Sequence, residues 1–139
     1  MNGYGKRVLI AEEDEDQQNL LGVVLESERY SVHVACNGRQ ALDEMKRRRF
    51  DAVVIGHHMP QINGFQLILL GRLVWPETPM ILLSGDDANL SQMAEQGGAY
   101  GCLREPYDAS TLLKLIGTAI ETAGGRRLHT LGSASLALG

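Results

Sequence analysis

The sequence predicts an α/β protein built on a five-stranded parallel sheet with helices on both faces. Three observations carry this. Short apolar runs alternate with longer segments of helical period through most of the chain. The first of these runs, RVLIA, is continuously apolar rather than alternating, which marks a strand buried on both faces, and DAVVI and MILL repeat the pattern. The connections are too short for anything but tight crossovers, which join parallel strands right-handedly. Five strand–helix units fit the flavodoxin-like, doubly wound order 2-1-3-4-5.

The elements follow in order. Arg7 to Ala11 is the first strand. Asp14 to Tyr30 reads as a helix, with Asp16 as its N-cap and Leu20, Leu21, Val24 and Leu25 at helical spacing. Ser31 to Ala35 is a second strand, and Asn37-Gly38 turns the chain into a helix through Ala41, Leu42 and Met45. Asp51 to Ile55 is a third strand, followed by a helix from Gly64 to Val74. Pro76 and Pro79 end that helix and set up a fourth strand, Met80 to Leu83. A short helix from Asn89 to Gln96 stops at Gly97-Gly98, and Tyr100 to Leu103 is the fifth strand. The last helix starts near Asp108, a good N-cap, and runs to about Thr122. Residues 1–5 are expected to form a flexible leader, 6–123 the folded domain and 124–139 a disordered tail.

Composition narrows the function. The 139 residues suffice for one domain with a real core. Hydrophobic residues make up 44% and charged ones 22%, as in ordinary globular proteins. A net charge of −4 gives no global attraction to nucleic acid. The basic run Lys46-Arg47-Arg48-Arg49 reads as the solvated end of a helix, where cations oppose the negative pole of the dipole. Cys36 and Cys102 lack metal-ligand spacing and resemble buried small hydrophobes. No signal peptide opens the chain and no apolar run reaches membrane-spanning length, so the cytoplasm is the expected compartment.

In open α/β sheets the site lies at the carboxyl ends of the strands. Glu12, Glu13 and Asp14 follow the first strand, Gly56 the third, Ser84 and Gly85 the fourth, and Glu105-Pro106 the fifth. Met59-Pro60 and Asn63-Gly64 stand between Gly56 and the third helix. Any one of these dipeptides is weak, but their joint order is specific. From about Lys6 to Thr122 the chain resembles the receiver domains of response regulators, the CheY-like family.

That resemblance implies a phosphorylation site of five parts. They are an acidic pair holding magnesium, an aspartate nucleophile, a Ser or Thr, a lysine before the last loop's proline, and a switchable aromatic. Glu12 and Glu13 match the acidic pair in charge, each one methylene longer, which disturbs magnesium's tight octahedron. Gly56 stands in the nucleophile's place and has no side chain to accept a phosphoryl group. Ser84 matches, Glu105 replaces the lysine with the opposite charge, and Cys102 replaces the aromatic. A degenerate site of Glu12, Glu13, Gly56, Ser84 and Glu105 is therefore expected, without a cofactor and with weak magnesium binding at Glu13 as its only metal role. Three acids at one sheet edge repel one another, which raises pKa values or recruits a cation.

Two further features bear on partners. His57 and His58 could ligate a transition metal or accept a phosphoryl group, but neighbouring side chains on extended backbone point apart, so ordinary loop histidines are expected. In the third helix Leu67, Ile68, Gly71 and Val74 form the sheet-facing stripe, and Leu69 and Leu73 then lie on the far side. A helix apolar all round is normally covered on both faces. Leu69, Leu73, Trp75 and, on the last helix, Leu115 are thus expected to meet a protein partner or a second copy.

The expected function is a non-enzymatic pseudo-receiver of a two-component phosphorelay, acting by phosphorylation-independent binding to a histidine kinase, another two-component protein or itself. Nucleic acid and membrane are not expected partners. The alternative is a metal- or small-ligand-sensing domain using Glu12, Glu13, His57 and His58. An enzyme on this scaffold ranks lowest, because no nucleophile–base pair is evident.

Overall fold

The computed structural model describes residues 3–56, 64–84 and 96–133, with side chains to Ala123. Five parallel strands form one sheet in the order β2-β1-β3-β4-β5. They are β1 (Arg7–Ala11), β2 (Ser31–Ala35), β3 (Ala52–Ile55), β4 (Met80–Ser84) and β5 (Gly101–Arg104). Among the described residues the helices α1 (Glu15–Ser27), α2 (Gly38–Arg47), α3 (Gly64–Val74) and α4 (Ala109–Ser133) accompany them. The register aligns Val8 with Val32 and Ala52, and Ile55 with Leu82. The predicted fold class and strand order are those observed.

The alternation of side chains along each strand divides the core in two. Leu9, Val53, Ile55 and Leu82 point to one face, where Ala41 and Met45 of α2 and Leu67 and Ile68 of α3 cover them. Val8, Ile10, Val54 and Ile81 point to the other, beneath Leu21 and Leu25 of α1 and Leu112, Ile116 and Ala119 of α4. Both faces are covered, which is why β1, β3 and β4 read as unbroken apolar runs.

Several boundaries differ from the sequence expectation. Asp14, not Asp16, caps α1: its side chain accepts the Asp16 N–H at 3.3 Å, leaving Asp16 in the first turn. The helix ends at Ser27 rather than Tyr30, because Arg29 adopts φ 69°, a left-handed conformation that stops helices. Tyr30 then turns inward, 6% exposed. Leu20, counted among the helical apolar positions, is 57% exposed, since Leu21 and Leu25 alone suffice to face the sheet. Val74 is 59% exposed rather than sheet-facing. It closes the last turn of α3, and Trp75 beyond it packs onto the core instead. Cys36 is exposed, not buried, because it lies past the end of β2.

Other caps match. Asn37 accepts the Gln40 N–H at 2.8 Å, while Gln40 reaches back to the Cys36 N–H at 2.9 Å. Asp108 caps α4 by accepting the Thr111 N–H at 2.7 Å, and hydrogen bonds from the Thr111 side chain and then its backbone hold its carboxyl below the usual range. The α4 backbone continues past Thr122 to Ser133. Gly124 and Gly125 lower helix propensity, but neither takes the positive φ that would end the helix. The expected helix over Asn89 to Gln96 falls largely outside the described residues.

Leu67 is fully buried and Leu73 is 79% exposed, although they lie on one helix. Leu67→Ala should therefore cost about 2–5 kcal/mol in chemical denaturation. Leu73→Ala should stay within about 0.5 kcal/mol. Equal losses at the two positions would mean that the phase of α3 is different.

Candidate functional site

Parallel strands bring all five carboxyl ends to one edge of the sheet. Glu12 extends β1 by one residue, and its N–H donates to the Ala35 carbonyl at 3.0 Å. Gly56 extends β3 and donates its N–H to the Ala11 carbonyl at 2.7 Å. These bonds fix positions 12 and 56 side by side. Ser84 closes β4, and the Glu105 N–H donates to its carbonyl at 2.8 Å. Topology thus gathers Glu12, Glu13, Gly56, Ser84 and Glu105 at this edge.

Their side chains do not share one environment. Glu12 is 8% exposed, whereas Glu13 and Glu105 face solvent. Gly56 is buried, and the space a side chain would take there is filled by the Glu12 carboxyl group. A Cβ built on Gly56 would collide with Glu12 Oε1 and lie 2.6 Å from its Cδ. The extra methylene of glutamate supplies the reach, and the missing Cβ of glycine supplies the room. Oε2 of the same carboxyl accepts the Asp14 N–H at 2.8 Å. Gln18 Nε2 donates to the Glu12 carbonyl at 2.6 Å, tying the first turns of α1 to the residue.

Burial pushes the Glu12 pKa up, and the charges of Asp14 and Glu105 push the same way; hydrogen bonds from the Asp14 and Glu13 backbone act against them. Tyr107 is half-buried next to this edge, and its phenol is raised first by burial, then by Glu105 and Glu12. Neither Tyr107 nor Gln18 was singled out from the sequence. Both sit inside helix or loop patterns that read as ordinary surface, and no motif spacing marks them.

Ser84 is fully buried, with its hydroxyl turned across the sheet: Oγ lies 3.5 Å from the Leu103 carbonyl, and Cys102 Sγ is 3.7 Å from Oγ. Cys102, half-buried, thus takes part in a β4–β5 contact where the family resemblance implied an aromatic. His57 and His58 lie outside the described residues.

Among the described residues these donors do not assemble a magnesium site. The ion needs near-octahedral oxygen ligands at short range. Glu12 directs its carboxyl to a backbone N–H and into the Gly56 space, and Gly56 offers no side-chain oxygen. Among the described residues no three His, Cys, Asp or Glu side chains stand close enough to hold a metal. No helix among them is long and apolar enough to cross a membrane.

On α3, Leu69 is 40%, Leu70 39% and Leu73 79% exposed, with Gln66 exposed beside them and Leu69 lying against Gly97. Trp75 and Leu115 differ from them. Both are half-buried against the core, Leu115 covering Gly101 of β5.

Comparison with known proteins agrees with this architecture. Residues 8–117 match the family model of the response regulator receiver domain. The transcriptional regulatory protein GlrR of Escherichia coli is 31% identical over 115 residues, covering 82% of this chain and 26% of GlrR. The sensory/regulatory protein RpfC of Xanthomonas campestris is 31% identical over 112 residues, covering 77% of this chain and 15% of RpfC. The chain thus spans about a quarter or less of the length of these two relatives. Among solved structures, the signal receiver domain of an HD domain-containing protein from Pseudomonas fluorescens superposes with a TM-score of 0.83 at 31% identity, covering 88% of this chain and 91% of that one. The beryllofluoride-activated NtrC4 receiver domain dimer gives 0.79 at 27% identity, covering 84% and 98%. From the fold, the strand-end site and these matches together, the chain belongs to the response regulator receiver domain family of two-component systems.

Proposed function

We propose that this chain is a receiver that signals by binding a protein partner without being phosphorylated on an aspartate. The observation that carries the reading is the Glu12 carboxyl group in the space of a side chain at position 56. The residue directly after β3 is a glycine, which carries no carboxylate, and a neighbouring acid fills the room a side chain would take. Glu105 adds negative charge at the same edge, where a phosphoryl group would need cations. The partner is a two-component protein, such as a histidine kinase, met in the cytoplasm. Its docking surface is the apolar outer face of α3 around Leu69 and Leu73, with Trp75 and Leu115 as flanking residues.

Treatment with acetyl phosphate and magnesium should leave the intact mass unchanged. A stoichiometric phosphoryl adduct would overturn the reading. Gly56→Asp alone should also remain unmodified, since the new side chain meets Glu12 and adds a further acid. Gly56→Asp combined with Glu12→Asp and Glu105→Lys should gain the adduct. Equal labelling of the single and triple variants would show that neither Glu12 nor Glu105 obstructs the site.

Glu12 also predicts a pH dependence. Its folded-state pKa lies above the ordinary glutamate value, so the folded protein binds the proton more tightly than the unfolded chain. The stability this contributes is present below the unfolded pKa and is lost as pH rises through the folded pKa. Glu12→Gln keeps an acceptor for the Asp14 N–H and removes the buried charge. Its melting temperature should exceed that of the wild type at neutral pH, and it should lose the decline that begins above the ordinary glutamate range. A variant less stable than the wild type at neutral pH would show that the Glu12 charge is stabilising.

Burying two leucines from water contributes on the order of 1.5–3 kcal/mol each, enough to anchor a weak interface. Leu69→Glu with Leu73→Glu should leave the melting temperature nearly unchanged and abolish binding to the cognate kinase in a pull-down of the purified pair. Unimpaired binding by a folded double variant would move the docking surface elsewhere.

A further inference from the structure

The parallel sheet also fixes what lies at the opposite edge, where the strands begin. There the end of α2 and the residues after α3 enclose a groove of about 390 Å³, lined by Met45 to Phe50 and by Trp75, Glu77 and Thr78. Its wall is the run Lys46-Arg47-Arg48-Arg49, all exposed. The sequence shows no aromatic residue interleaved with that run, but the fold brings Trp75 to it from thirty or so positions away. Glu44 is shared by Arg47 at 3.5 Å and Arg48 at 3.6 Å, one carboxylate for two guanidinium groups. Arg7 adds a further cation, its Nη1 donating to the Arg49 carbonyl at 3.0 Å. The field of Arg48 and Arg7 reaches His33, whose pKa is lowered first by burial and then by these two charges.

The strand-end edge has the opposite sign. Among the described residues it exposes Glu13, Asp14, Glu15 and Asp16 in sequence, with Glu105 and Asp108 nearby and Arg104 as a cation on β5. Strands of four to five residues separate the two edges by about 15 Å of sheet. One molecule therefore carries a run of four acids at one pole and a run of four cations at the other. Leu20 lies one helical turn beyond Asp16 on the same side of α1 and is 57% exposed.

We propose that this chain associates with a second copy head to tail, the Glu13–Asp16 run of one molecule seated in the Lys46–Arg49 groove of the next. The two patches differ and lie at opposite ends, so the contact is heterologous and does not close on itself. Its strength follows ionic strength, because both charge runs are exposed and the screening length falls from about 30 Å at 0.01 M salt to about 8 Å at 0.15 M. The groove shares Trp75 with the flank of the α3 face, but a contact made through the leucines of that face would persist in salt.

Sedimentation velocity across a concentration series tests it. The wild type should show mass rising with concentration at about 10 mM salt and a monomer at about 1 M salt. Lys46→Glu with Arg47→Glu should be monomeric, and so should Glu15→Lys with Asp16→Lys; thermal unfolding confirms that both fold, and glutamine replacements repeat the test with a smaller perturbation. Mixed in equal amounts, the first variant keeps its acidic run and the second its groove, so the mixture should form a 1:1 dimer that grows no further. A wild type that stays monomeric at low salt overturns the proposal, as does association that survives high salt or either variant alone. Monomeric behaviour of the equimolar mixture would overturn it as well.

Discussion

A parallel sheet covered on both faces leaves its central strands no room for polar side chains except at their ends. Leu9 and Val53 look to one helical layer, Val8 and Val54 to the other, and each side is sealed. Every ionisable group of β1, β3 and β4 is consequently displaced to a strand terminus or beyond it. Because the strands run in one direction, those termini collect at two edges, one continuing into the N-terminal turns of α1 and α4, the other reached from the ends of α2 and α3. Acids gather at the first, where they cap helices and meet the positive end of the dipole. Cations gather at the second, in the last turn of α2. The charge polarity of the molecule is thus a consequence of its topology.

Within the acidic edge, the site is organised by an exchange of volume between two residues. Glu12 and Gly56 directly follow the paired ends of β1 and β3, and the carboxyl of one occupies the side-chain space of the other. Each feature makes the other tolerable. With a side chain at 56, the Glu12 carboxyl group would have to shift from the place where it accepts the Asp14 N–H. With a shorter acid at 12, the room beside Gly56 would lose the group that fills it. Burial of a carboxyl group is opposed by desolvation, and it is sustained here by backbone donors from residues 13 and 14. Ser84 and Cys102 engage each other and the β5 backbone.

The helical surface tells a related story on α3. Its inner stripe of Leu67, Ile68 and Gly71 is tightly filled, Gly71 lying against Met80 of β4. Its outer face exposes Leu69, Leu70 and Leu73 beside Gln66 and Arg72. The inner face is packed against the sheet, and the outer one keeps Leu73 in solvent while Leu69 lies against Gly97.

The sequence by itself determined the strand order, the two-faced core and the identity of the strand-end residues. Continuous apolar runs, helical periods and short connections admit few other arrangements, and α3 spans the residues its pattern marks. It also made plain that Gly56 cannot be a nucleophile, since that is a matter of covalent structure. Where Glu12 directs its carboxyl group was decided only in three dimensions. The sequence separates positions 12 and 56 by 43 intervening residues, and only the β1–β3 pairing brings them together. The cap of α1 was ambiguous because Asp14 and Asp16 are chemically alike, and backbone angles alone chose Asp14. Trp75 beside the arginine run, Val74 turned to solvent and Cys36 exposed past the end of β2 have the same cause. Each depends on where an element stops against its neighbours, and periodicity gives phase along a helix or strand but not the place of its end in the packed layers.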